Sequence, residues 1–130
     1  MRNFEPKADE VYGHLIGLGA TPYWGPNRNG DGWSVDGLRK TAHTFEKFAR
    51  AYRNHVNKDP AKSYGYVPIA AYHPDMHRVE MLTAYNAQKS AADRNGGLVA
   101  DEELQKLAGD DPMPVSMACS VDHDICSACK

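Results

Sequence analysis

The sequence predicts an α+β domain: a small, mainly antiparallel sheet curling toward a β-barrel, with a few helices flanking it. Two runs rich in aromatic and β-branched residues, YGYVPIAAY and HRVEMLTAYN, lie on either side of the turn-forming residues Pro74 and Asp75, which is the pattern of a hairpin. A stretch of helical periodicity precedes them, and strand-like segments stand before that helix and at the far end of the chain. At 130 residues, 42% hydrophobic and 25% charged, the chain fits one folded domain spanning 1–130.

Taken in order, EVYGHLIGLGATPYW has an apolar centre from Leu15 to Leu18 and reads as a strand. GPNRNGDGW follows as an exposed loop, since Pro, Asn, Gly and Asp each supply turn geometry. Trp24 and Trp33 flank that loop and are expected to anchor it by burying their rings. Ser34 is an N-cap, and Leu38, Ala42, Phe45, Ala49 and Tyr52 then recur at steps of three and four, predicting one amphipathic helix. Pro60 disfavours helix at Asp59, so RNHVNKDPAKS ends that helix and places His55 on a loop. The hairpin is expected to pair about 66–72 with 78–85. Asn95-Gly96-Gly97 is a breaker, and ADEELQKLA, capped by Gly109, reads as a short helix over the sheet. MPVSMACSV returns to strand composition, with Pro114 tolerable near a strand start.

A formal net charge of −2 gives no electrostatic reason to bind nucleic acid or an anionic membrane. The charged opening MRNFEPKADE lacks the apolar core of a signal peptide, and no run approaches a membrane span, so the chain reads as intracellular and soluble. Three cysteines gathered between Cys119 and Cys129 do not form a secreted disulfide framework. Metal binding or plain reduced thiols fit better.

Chemistry can reside in few places. A serine hydroxyl becomes a useful nucleophile only when a histidine accepts its proton and a third group orients that histidine. Ser116, within PVSMAC, is by pattern alone either a small strand residue or such a nucleophile, and His55 is either a polar loop residue or its base. CSAC spaces Cys126 and Cys129 to clasp one metal ion, and a structural zinc wants four ligands, which Cys119 and His123 could complete. In HPDMH, His73 and His77 are four apart, but Pro74 denies the helix on which such a pair shares an ion, so this reads as a turn.

Read together, NRNGDGWSVDGLRK, FEKFARAYRNHVNKDP, YHPDMHRVEML and PVSMACSVDHDICSAC resemble the prohead maturation proteases of tailed bacteriophages, in order and spacing, from about Tyr23 onward. The resemblance implies a serine peptidase on a herpesvirus-assemblin-like β-barrel that cleaves scaffold and major capsid proteins inside the assembling prohead, in the host cytoplasm. It implies Ser116 as nucleophile and His55 as general base. Asp124 is the preferred third member, with Asp59 and Asp122 as competitors. No cofactor is needed for such acyl transfer; a structural zinc at Cys126 and Cys129 would be additional. Because the phage sequences carry further ligands beyond the cysteine pair, the chain reads as truncated or processed at its C-terminus. Expected partners are the peptide substrates and further copies of the chain, with no nucleic acid and no membrane. The alternative from another class is a non-catalytic, zinc-stabilised capsid-assembly module.

Overall fold

The computed structural model describes residues 4–27, 30–53 and 59–109. The described elements are β1 (Glu10–Gly19), α1 (Thr21–Trp24), α2 (Val35–Thr41), α3 (Thr44–Phe48), β2 (Arg50–Tyr52), a 3-10 turn (Pro60–Lys62), β3 (Ser63–His73), β4 (Arg78–Asn86), α4 (Lys89–Asn95) and α5 (Asp101–Ala108). The strands form one antiparallel sheet in the order β1-β4-β3-β2, curled into a half-barrel. The α+β class and the antiparallel sheet expected from sequence are therefore present. The segment MPVSMACSV, expected to add a strand, lies outside the described residues.

Curling follows from the places where the ladder slips. Register shifts fall between Ile16 and Leu18 in β1, between Tyr66 and Ile69 in β3, and, against β2, at Tyr64 of β3 between Ser63 and Gly65. Each extra residue bends its strand and raises the local twist. At the β1 slip, a Cβ on Gly17 would press on the Met81 methyl, which sits in the core.

One sheet face carries Leu15, Leu18, Val67, Ala70, Tyr72, Val79 and Met81. Onto it pack Leu38 and Ala42 from the α2 segment, with Val35, Phe45, Ala49 and Trp33 around them. Ser34 caps α2 as expected, its Oγ accepting from the Gly37 amide at 2.9 Å. The single long helix expected through Tyr52 is corrected. It breaks at Ala42–His43 into α2 and α3, and Arg50–Tyr52 pairs with β3 as a strand. The apolar steps do turn inward, but backbone pairing with β3 decides the conformation of the last three residues, over local propensity. Trp24 is also corrected. It is 51% exposed, lying against Gly19 with its indole N–H donating to the Met76 carbonyl at 2.7 Å, while Trp33 packs on the core.

The hairpin is as expected, somewhat longer, with β3 and β4 paired from Gly65↔Tyr85 to His73↔Arg78 on either side of the shift between Tyr66 and Ile69. In its turn His77 takes the left-handed conformation at φ 53°, tolerable in a tight turn and fixed by its ring stacking on Tyr23 at 3.5 Å and its carbonyl accepting from Ala20 N.

At the other end of β4, Ala84, Asn86, Ala91 and Ala92 are buried where α4 meets the strand. An ion-pair clamp holds the start of β1 there. Arg94 donates to both oxygens of Asp9, at 2.7 and 2.9 Å, and to Glu10 at 3.0 Å. Glu10 also accepts from Tyr12, Tyr66 and Asn95. Hydrogen bonds from Arg94 and Ser90 hold the Asp9 carboxyl well below its ordinary range. Burial pushes Glu10 upward, but its bonds from Tyr12, Asn95, Arg94 and Tyr66 outweigh that and leave it lowered. Carboxyls lowered by folding contribute stability above their unfolded pKa and lose it as pH falls through the folded one. Tm should therefore hold from neutral pH to about 5 and fall below about 4. Arg94→Gln should be less stable at pH 7 and show a shallower acid slope; parallel pH–Tm curves for the two proteins would contradict this role for the clamp.

Candidate functional site

The residues expected to carry chemistry flank a part of the fold that the structure does describe. β2 leads toward His55 and β3 leads away from it, and the two strands are hydrogen-bonded neighbours, pairing Arg50↔Tyr66, Ala51↔Gly65 and Tyr52↔Ser63. His55 lies in 54–58, outside the described residues, between the described Arg53 and Asp59.

On the near side stands Arg53. Its Nε donates to Glu103 Oε2 at 2.7 Å and its Nη2 to Glu103 Oε1 at 2.6 Å. The same Nη2 reaches Asp101 Oδ1 at 2.8 Å and the Val99 carbonyl at 3.1 Å. The Glu103 side chain is only 6% exposed and Arg53 28%. Two parallel bonds between a planar guanidinium and a carboxylate fix orientation as well as distance. The Glu103 carboxylate, followed by Asp101, raises the Arg53 pKa beyond its ordinary value, and Arg53 in turn lowers that of Asp101. Tyr64 and Tyr85 stack in parallel at 5.8 Å. Burial, together with the neighbouring Tyr85 and Glu103, pushes Tyr64 up to about 12.

On the far side, Asp59 caps the 3-10 turn, its carboxylate accepting from Ala61 N at 3.0 Å, with Pro60 at the first position of the turn. Ser63 is buried, donates to the Pro60 carbonyl at 2.7 Å, and accepts from Leu98 N at 2.7 Å through its own carbonyl. This approach is so close that a Cβ on Gly97 would overlap the Ser63 carbonyl oxygen. Gly96, at φ 70°, takes the left-handed conformation that ends α4 and turns the chain toward Ser63. Asn86 completes the frame, donating to the Leu98 carbonyl and accepting from Ala100 N, both at 2.8 Å.

Arg53 and Ser63 are thus both bonded to one stretch, 97–103, which enters α5. Ser116, Asp122, Asp124, Cys119, His123, Cys126 and Cys129 lie, like His55, outside the described residues. Asp59 is within them, and its carboxylate serves as the cap of the 3-10 turn. Among the described residues no group of three or more His, Cys, Asp and Glu side chains could hold a metal ion. His73 closes β3 at the edge of the turn, its Nδ1 accepting from Met76 N at 3.1 Å, which matches the reading of HPDMH as a hairpin turn. Among the described residues no helix is long and apolar enough to cross a membrane.

Sequence reasoning missed Arg53 and Glu103. Arg53 stood in a polar run and Glu103 in an acidic first turn, both patterns of solvated residues, and the two are fifty positions apart. It also gave no role to His14, which lies 2.6 Å from Glu80, whose second oxygen accepts from Arg78 at 3.1 Å. That group lies toward the hairpin turn, away from Arg53, and His14 is 62% exposed, where ion pairs are screened and contribute little. Beside β2 lies an open cleft of about 260 Å³ lined by residues including Phe48, Arg50, Tyr66 and Arg94, with Phe48 78% exposed at its side.

Comparison with protein-family models, with curated proteins and with solved structures found no match to this chain.

Proposed function

We propose that this chain is a serine endopeptidase of phage prohead maturation, acting on scaffold and capsid proteins, with a herpesvirus-assemblin-like barrel of which the curled sheet is the described part. In this reading Ser116 attacks the scissile carbonyl, His55 takes the hydroxyl proton and returns it to the leaving amine, and Asp124 orients the imidazole. One tetrahedral intermediate collapses to an acyl-enzyme, and water completes hydrolysis by the same route in reverse.

The observation that supports this most is that Arg53 and Ser63, which flank His55 in sequence, both bond to residues 97–103. Loop-borne catalytic residues need a rigid frame, because a proton passes only across a hydrogen bond of about 2.6–3.2 Å. Arg53 and Ser63 provide that frame on either side of His55. The order of motifs adds the residue types: a histidine in a short polar loop, and then a serine within a strand-like run.

The test is covalent. The folded chain treated with a fluorophosphonate should gain one adduct, mapped by peptide mass to Ser116. A folded chain that takes no label, and that carries stoichiometric zinc by elemental analysis, would replace the peptidase with the zinc-stabilised assembly module.

A further inference from the structure

We propose that Asn95 is a latent modification site: an Asn-Gly deamidation site that the fold holds closed, and whose conversion to aspartate or isoaspartate unlatches β1 from α4. The chemistry needs only water and the chain itself. The Gly96 backbone nitrogen bonds to Asn95 Cγ, the Cγ–Nδ2 bond breaks, and the side-chain amide leaves as ammonia with the proton from Gly96 N. Water then opens the cyclic imide at either carbonyl, giving aspartate by one route and isoaspartate, with an added carbon in the main chain, by the other. Glycine at 96 has no side chain to shield the attacking nitrogen. Gly96 is exposed, and a Cβ placed on it would meet nothing within 4 Å, so water reaches the bond to be opened.

In the folded chain the groups that would react are held apart. Asn95 Nδ2 donates to Glu10 Oε2 at 3.0 Å and to Asn86 Oδ1 at 2.8 Å, so the leaving amide is pinned on both of its N–H directions. The Asn95 carbonyl accepts from Arg50 Nη1 at 3.0 Å, and the Gly96 N–H is directed at the Ala92 carbonyl. Asn95 is the last residue of α4. Closing the imide needs Cβ and the following nitrogen to eclipse about the Cα–C bond, which a helical ψ of about −42° does not give. Reaction therefore waits for a local opening of the helix end. The bonds that oppose that opening converge on Glu10, which Arg94 also grips at 3.0 Å.

The product no longer fits the place it came from. A carboxylate at 95 exchanges two donors for acceptor oxygens, facing the Glu10 carboxylate and Asn86 Oδ1. Neither neighbour can turn to meet it. The Glu10 side chain is 0% exposed and already bonded to Arg94, Tyr12 and Tyr66, while Asn86 spends its own Nδ2 on the Leu98 carbonyl. Two carboxylates sharing one buried place repel each other. Isoaspartate also lengthens the backbone just before Gly97, where a Cβ would overlap the Ser63 carbonyl oxygen and where Leu98 N bonds that oxygen at 2.7 Å. A change at Asn95 thus reaches β1 through Glu10 and β3 through Ser63.

The experiment is peptide mapping by mass of the full chain after incubation in mildly alkaline buffer, reading the amide-to-acid gain at Asn95. Folded wild type should convert at least about tenfold more slowly than the same chain unfolded in urea. Arg94→Gln, which frees Glu10 from the guanidinium, should speed conversion at least about threefold and by more than Leu38→Ala, although Leu38→Ala loses more Tm, because the two open different parts of the fold. Asp9→Asn weakens the same grip and stands in for Arg94→Gln if that variant does not fold. Asn95→Asp should melt roughly 4 °C or more below wild type. Equal rates in the folded and unfolded chain, or no conversion in urea, would overturn the site. Rates that follow Tm alike in Arg94→Gln and Leu38→Ala would overturn the clamp as its lock, and a wild-type Tm in Asn95→Asp would overturn the unlatching.

Discussion

Ser116→Ala should lower kcat on a scaffold-derived peptide by roughly four to six orders of magnitude, with Tm within a few degrees of wild type. The magnitude follows from what the hydroxyl does. Without it no acyl-enzyme forms, and only the residual effects of substrate binding and of an oxyanion hole remain. His55→Ala should cost nearly as much, because a serine hydroxyl without its base is a poor nucleophile at neutral pH. The double variant should be hardly slower than either single one, since nucleophile and base act as a unit. Additive losses would mean that the two residues contribute to separate steps. Cleavage at the wild-type rate by Ser116→Ala would remove Ser116 from the mechanism outright.

The second large effect is on stability. Leu38→Ala should destabilise the fold by about 2–5 kcal/mol and lower Tm by roughly 10 °C or more. Leu38 is 1% exposed and, among the described residues, is the largest fully buried apolar side chain. Its core cluster also holds Ala20, Ala42 and Ala70, which are too small to fill the space a truncated leucine leaves. Chemical denaturation of the two proteins side by side measures this. A change below about 1 kcal/mol would mean that α2 is not the lid of this core.

How much of this was legible in the sequence depended on the range of the interactions involved. The hairpin was visible because aromatic and β-branched runs flank Pro74 and Asp75, and its register is set by a local turn. The Ser34 cap was visible because its bond to Gly37 spans three residues. β2 was not, since Ala49 and Tyr52 continue the apolar period of α2 and α3, and only pairing with Gly65 and Ser63 makes the chain extended there. The clasp of Arg53 on Glu103 was beyond reach for the same reason: a buried carboxylate within DEEL has the same local pattern as a solvated one. Of the candidate site, residue types and order came from the sequence. The frame around 54–58, with Ser63, Gly97 and Leu98 closing its far side, came only from the fold.

The account stands on proton transfer between His55 and Ser116. A crystal structure of the full chain bearing a phosphonate on Ser116 tests that most directly. An imidazole nitrogen of His55 should lie within about 2.6–3.2 Å of Ser116 Oγ or of the adduct oxygen occupying the leaving-group position. An adduct on Ser116 with His55 on the far side of the sheet, or with His14 in its place, would contradict the mechanism.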